Sequence, residues 1–205
     1  GQLSLRDLHF RPDLVVISPN DPGAMLRMAT ECQELGIPYL YDPSQQVVRM
    51  PHEDIRRGVE GALALFVNEY EFELVQKHTS LTAQEIFDKV EITAITCGDK
   101  GALLYSKGER FEIPPVKPTQ IADPTGVGDA FRGGFLTGYR LGLPLEMCGR
   151  MGALAATYCL EHHGTQNHTY TPADFIARYQ ATFGPADQLQ QLMMPPLPNS
   201  KMEES

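Results

Sequence analysis

In the first half of the chain, apolar and polar positions alternate between strand-like and helix-like spacing. Leu14-Val-Val-Ile17 is a short β-branched run bounded by Asp13 and Ser18, and Tyr39-Leu-Tyr41, Leu63-Ala-Leu-Phe-Val67 and Ile92-Thr-Ala-Ile-Thr96 are runs of the same kind. Between them, residues 24–35, 52–61, 70–78 and 82–90 read as helices. Asp21 before Pro22 is a helix start, Gly36-Ile-Pro38 a stop, and Thr82 with Glu85 a capping box. Continuous apolar strands separated by helices predict a mostly parallel central sheet in a three-layer α-β-α fold. Ligands of such sheets bind beyond the carboxyl ends of the strands. Here those ends are Ser18-Pro-Asn20, Asp42-Pro-Ser44, Asn68-Glu-Tyr-Glu71 and Cys97-Gly-Asp-Lys-Gly101.

The pattern then changes. Residues 101–106 and 110–113, joined through Lys107-Gly108-Glu109, predict a β-hairpin, and Pro114, Pro115 and Pro118 force an extended connection. Helices are expected over 128–141, 145–161 and 172–183. No internal repeat and no long linker divides the chain, so residues 1–184 read as one domain. Residues 185–205, rich in Pro and Gln, read as a disordered tail.

Composition narrows the function classes. Of 205 residues, 42% are hydrophobic and 21% charged, enough for a sizeable core. Lys and Arg number 17 against 26 Asp and Glu, a formal charge of −9. So acidic a chain is a poor partner for nucleic acid or an anionic membrane, and an anionic substrate would need a local device to hold it. No apolar run reaches the roughly 18 residues of a membrane span. Gly1 to Pro12 lacks the pattern of a signal peptide. Cys32, Cys97, Cys148 and Cys159 form no CxxC pair and read as free thiols of a reducing, cytoplasmic setting. His162-His163, with His168, could ligate a metal. Without Cys or carboxylate partners at ligand spacing, they read better as the close of a helix and the entry to a polar loop.

The richest stretch is Ala122-Asp-Pro-Thr-Gly-Val-Gly-Asp-Ala-Phe-Arg-Gly-Gly-Phe135. Gly126 and Gly128 stand just before a long helix, where backbone N–H groups and the helix dipole make an anion site without net positive charge. Asp129, in the first turn, is placed to accept a proton from a hydroxyl that attacks phosphorus. A Walker A loop would need Lys after the glycine, where Asp129 stands, and a Rossmann fingerprint would need glycine at Phe131. The bland alternative is an ordinary glycine turn with a capping Asp. Arg132, three residues after Asp129, either meets a phosphate or is a solvated helix charge.

This stretch resembles the C-terminal signature of the ribokinase-like sugar and nucleoside kinases, the PfkB family. The motif stands as Asp123-Pro124-Thr125-Gly126-Val127-Gly128-Asp129, with Pro124 and Val127 as mild departures. The resemblance implies Asp129 as catalytic base and Gly126, Val127 and Gly128 as the anion hole. Asn68-Glu69-Tyr70-Glu71 is similar to the family's Asn-x-x-Glu motif, which implies Asn68 and Glu71 in the outer shell of magnesium. By itself that pair reads better as a helix cap. Thr96-Cys97-Gly98-Asp99-Lys100-Gly101 is similar to the strand-end segment lining the nucleotide phosphates, which implies Thr96, Gly98 and Gly101 at ATP. Gly164-Thr-Gln-Asn167 falls where the family closes the adenine pocket, implying Asn167 there.

The resemblance runs over residues 12–183 and favours the adenosine-kinase-like branch found in bacteria. It implies an ATP- and magnesium-dependent phosphotransferase acting on a small-molecule nucleoside. The alternatives are a sugar kinase for ribose or fructose and a non-catalytic nucleotide-binding fragment. The family's further N-terminal strands, β-lid and first glycine-rich signature have no counterpart in the sequence, so a partial chain without the lid is expected.

Overall fold

The computed structural model describes residues 4–194. The chain divides into two compact units that meet between Pro115 and Val116. That boundary falls inside the proline-rich connection.

The first unit runs β1 (Val15–Ile17), α1 (Pro22–Leu35), β2 (Tyr39–Tyr41), α2 (His52–Glu60), β3 (Ala64–Asn68), α3 (Glu69–Thr79), α4 (Ala83–Lys89), β4 (Ile92–Thr96), β5 (Ala102–Ser106) and β6 (Glu109–Ile113). The six strands lie in sequence order. β1 to β4 are parallel, and β5 and β6 close the sheet antiparallel. No helix or strand named here differs from its expected bounds by more than two residues. The punctuation predicted for α1 is the one observed. The Ala24 N–H donates to Asp21 Oδ1 at 3.0 Å, and Gly36 ends the helix at φ +63°, in the left-handed region. Lys107 and Gly108 both have positive φ, as a two-residue hairpin turn requires.

Strand alternation sorts the core. Tyr39, Tyr41, Leu65, Val67 and Ile95 point to one face, where Met25, Ala29, Ile55, Val59, Val75 and Ile86 of the four helices cover them. Leu40, Phe66, Ala94 and Leu104, on the other face, are buried as well. Burial on both faces explains why these strands are apolar throughout rather than alternating. Each fully buried aliphatic or aromatic side chain contributes roughly 1.5–3 kcal/mol.

The second unit holds α5 (Val127–Arg140), α6 (Leu145–Leu160) and α7 (Pro172–Phe183), followed by a 3-10 helix, Asp187–Met193. Small residues let α5 and α6 approach closely. A Cβ on Gly134 would lie 2.6 Å from the Met151 carbonyl oxygen, and one on Gly152 2.8 Å from that of Phe131. Within the segment expected to be a disordered tail, residues Asp187–Met193 form that 3-10 helix. Ala186 and Leu189 are buried, so apolar contacts order the segment despite its polar composition. Residues 195–205 of that tail lie outside the described residues. No helix of the described residues is long and apolar enough to cross a membrane.

Candidate functional site

In the first unit, the expected site residues collect at the carboxyl ends of β3 and β4. Asn68 and Thr96 are register partners on the two strands, so the strand ends lie side by side. Asn68 caps α3. Its side-chain oxygen accepts from the Glu71 N–H at 2.8 Å, and Glu71 Oε2 accepts from the Asn68 N–H at 2.8 Å. The pair is thus a complete capping box. Glu71 keeps its second oxygen, Oε1. A carboxylate held this way fits a water of a hydrated magnesium ion better than direct chelation, since magnesium usually keeps several waters and takes one or two carboxylates. Among the described residues, no three His, Cys, Asp or Glu cluster to cage a metal.

After Thr96 the chain turns through a short 3-10 helix, Gly98–Lys100. The two glycines there have different reasons. A Cβ on Gly101, at φ +94°, would collide with the Ile113 carbonyl, so its glycine serves the hairpin. Gly98, at φ +58°, is exposed and meets nothing, which leaves the strand end bare.

In the second unit, the loop before α5 and the loop after α6 are tied into one structure. Asp123 Oδ1 accepts from the Thr125 N–H at 2.9 Å, and Oδ2 accepts from the Gly164 N–H at 3.0 Å. The Thr125 hydroxyl, the Thr125 N–H and the Gly164 N–H hold the Asp123 carboxyl down at about 2. Gly126 has φ +83°, and a Cβ there would lie 2.9 Å from the Thr165 side chain. Beneath both loops, the buried Cys159 thiol reaches the Thr125 carbonyl at 3.5 Å and the Thr165 carbonyl at 3.9 Å. Burial first, then the charges of Asp123 and Asp129, push that thiol up. Asn167 closes its own loop by donating to the His163 carbonyl at 2.8 Å.

α5 begins at Gly126, which caps it without a side chain. The Val127 N–H reaches the Pro124 carbonyl only at 3.4 Å, and the first regular helical bond is from the Ala130 N–H to the Gly126 carbonyl at 2.9 Å. The cap therefore offers the Gly128 and Asp129 N–H groups no side-chain acceptor, at the positive end of a 14-residue helix. Gly128 lacks a positive φ, and a Cβ there would touch nothing. No protein contact requires glycine at this position. Asp129 extends from the same turn with 67% of its side chain exposed, and Arg132 Nη2 donates to its Oδ1 at 2.6 Å.

Of the two expectations for Arg132, the solvated charge is wrong, since its side chain is only 11% exposed. α6 ends at Leu160, and the His162 ring Nδ1 pairs with the Tyr158 carbonyl at 2.9 Å. The structure thus gathers Gly126 to Asp129 with Asn167 in one unit, and Asn68, Glu71, Thr96, Gly98 and Gly101 in the other. Sequence reasoning gave no role to Asp123 or Cys159. Asp123 stood inside the quoted motif, but its partner Gly164 lies 41 residues away.

A chain with this sheet and this glycine-rich helix start has clear relatives. Residues 7–172 match the pfkB family of carbohydrate kinases. The chain is 32% identical over 172 residues to the nucleoside kinase of Methanocaldococcus jannaschii, covering 84% of this chain and 57% of that one. It is 30% identical over 174 residues to the cytidine kinase of Thermococcus kodakarensis, covering 80% and 61%. The nucleoside kinase of Burkholderia thailandensis, solved with inosine, superposes with a TM-score of 0.82 at 33% identity, over 84% of this chain and 58% of that one. The same kinase has also been solved with ADP-inosine. The chain belongs to the pfkB family. It has that family's three-layer α/β fold and spans a little over half the length of these relatives.

Proposed function

We propose that the protein transfers the γ-phosphoryl group of ATP to a hydroxyl of a nucleoside. The observation that carries this reading is the start of α5. N–H groups without a side-chain cap, a glycine that no protein contact requires, and an exposed carboxylate share one helical turn. The acceptor hydroxyl gives its proton to Asp129 while its oxygen bonds to the γ-phosphorus. The bond from that phosphorus to the oxygen bridging the β-phosphate breaks, and its electron pair leaves with ADP. The N–H groups of Gly126, Val127 and Gly128 stabilise the negative charge of the transferring group. Gly128 contributes most, because the Val127 N–H is also directed at Pro124. By likeness to the family's motifs, the same reading assigns Thr96, Gly98 and Gly101 of the first unit, and Asn167 of the second, to nucleotide binding. Asn68 and Glu71 would hold the water shell of magnesium, which offsets the phosphate charge when bound.

A nucleoside is favoured over a free sugar because the relatives named above are nucleoside and cytidine kinases, one of them solved with inosine. The reading therefore widens from adenosine to purine and pyrimidine nucleosides. The test is acceptor-dependent ADP release with inosine, cytidine and adenosine against ribose and fructose. Turnover is expected with a nucleoside, and Asp129→Asn should lower it by about 100-fold or more while ATP still binds. Full turnover by Asp129→Asn would remove Asp129 as the base, and turnover with a free sugar alone would replace the nucleoside.

A further inference from the structure

Arg132 lies three residues beyond Asp129 on α5, and the two side chains occupy opposite environments. The guanidinium is 11% exposed and the carboxylate 67%. Pairs between two exposed side chains hold their geometry weakly. This pair differs, because a guanidinium cannot shed its charge and this one is largely withdrawn from water. The helix beneath it is fixed as well. Phe131 and Phe135 flank Arg132 and are buried, and the close approaches at Gly134 and Gly152 pin α5 to α6. The Asp129 carboxylate, exposed on its solvent side, is thus held at one oxygen by a largely buried group. The bond is short, 2.6 Å from Arg132 Nη2 to Asp129 Oδ1, as charge-assisted bonds are.

We infer that Arg132 is a positioning residue for Asp129. By engaging Oδ1 it fixes the plane of the carboxylate and leaves Oδ2 to face the acceptor hydroxyl. This rests on the reading of Asp129 as the base. It departs from the idea that Arg132 is itself a phosphate ligand, since the guanidinium already faces the carboxylate.

Steady-state kinetics on Arg132→Ala and Arg132→Lys, with nucleoside and ATP varied, separate the two roles. Arg132→Ala should lower kcat by about 10- to 100-fold. KM for ATP should stay within about threefold of the parent value. Arg132→Lys should recover part of kcat, and added guanidinium ion should restore part of it to Arg132→Ala. A raised KM for ATP with kcat preserved would make Arg132 a phosphate ligand and overturn the inference, as would an unchanged kcat. Asp129→Asn, assayed alongside, tells the two failures apart. If it turns over fully, the base reading falls. If it is inactive while the Arg132 variants keep their kcat, only the positioning role falls. A second measurement needs neither turnover nor an Arg132 substitution, namely solvent exchange of the Arg132 guanidinium protons by NMR. Exchange should quicken about tenfold in Asp129→Asn. Equal rates in the two proteins would overturn the inference.

Discussion

Asp123 accepts a hydrogen bond from the Gly164 N–H at 3.0 Å, across 41 residues of chain. With its second oxygen on the Thr125 N–H, one carboxylate shapes the loop before α5 and fastens it to the loop carrying Asn167. Asp123→Ala removes both acceptors at once. Amide hydrogen exchange at Thr125 and Gly164 should rise by about tenfold. Because bonding to Thr125 and Gly164 lowers the Asp123 carboxyl to about 2, the clamp is complete above the ordinary range near 3.8 and is lost as pH falls toward 2. Exchange that stays unchanged in the variant would mean the loops hold each other without Asp123.

The α5–α6 contact predicts opposite effects for two nearby glycines. Gly152→Ala would bring a methyl group within 2.8 Å of the Phe131 carbonyl oxygen, so the helices must separate. The cost is about 1–3 kcal/mol, read as a fall of a few degrees in Tm. Gly133→Ala, in the exposed interior of α5 with nothing near its Cβ, should stabilise by about 0.5–1 kcal/mol. Thermal melts of the two variants check both signs.

Glu161 is 6% exposed and takes two bonds from Arg178, at 2.6 and 2.7 Å, with a third from the Thr119 N–H at 2.6 Å. Arg178 in turn lies over the Tyr158 ring, 4.7 Å from its centre. Arg178 foremost, aided by Thr119, lowers the Glu161 carboxyl to about 2. This contribution to stability is complete above the ordinary value near 4.5 and is lost as pH falls toward 2. Glu161→Gln leaves a largely buried guanidinium without its counter-charge and should cost about 3 kcal/mol. Urea unfolding of wild type and variant should therefore differ most near pH 7 and converge at low pH. A constant difference down to pH 2 would assign the loss to packing.

What the sequence made legible follows from how local each signal is. β3 and β4 stood out because both their faces are buried, and α1 and α4 because Asp21, Gly36 and the Thr82–Glu85 box mark their ends. The turn Ser44–Val48 had no such signal, and neither did the 3-10 helix at Asp187–Met193. The second is fixed by burial of Leu189, which only the folded chain reveals. In the site, the spacing of Gly126, Gly128 and Asp129 was readable because the helix start is local. The Asp123–Gly164 bond and the burial of Arg132 depend on tertiary packing. Asn68 and Glu71 were ambiguous for a physical reason. A capping box and an Asn-x-x-Glu motif are the same letters, and the structure shows the capping bonds formed.

The two glycines of the anion loop separate fold from function. Gly126, at φ +83° and against Thr165, is needed by the backbone, so Gly126→Ala should lose about 1–3 kcal/mol of stability whatever the loop binds. Gly128 has no such need. Its φ suits any residue, and an added Cβ would touch no protein atom. Gly128→Ala should therefore melt within about 1 kcal/mol of wild type, or slightly above it, since alanine is the better helix former. A phosphoryl group drawn to the first-turn N–H groups would meet that methyl directly. Mg-ATP affinity or turnover should then fall by about tenfold or more, because the donors act only at close range. Calorimetric titration of Mg-ATP, paired with a thermal melt of the same variant, reads both quantities. An unchanged melt with weakened binding assigns Gly128 to the phosphate, and an unchanged melt with unchanged binding and turnover would move the anion site away from α5.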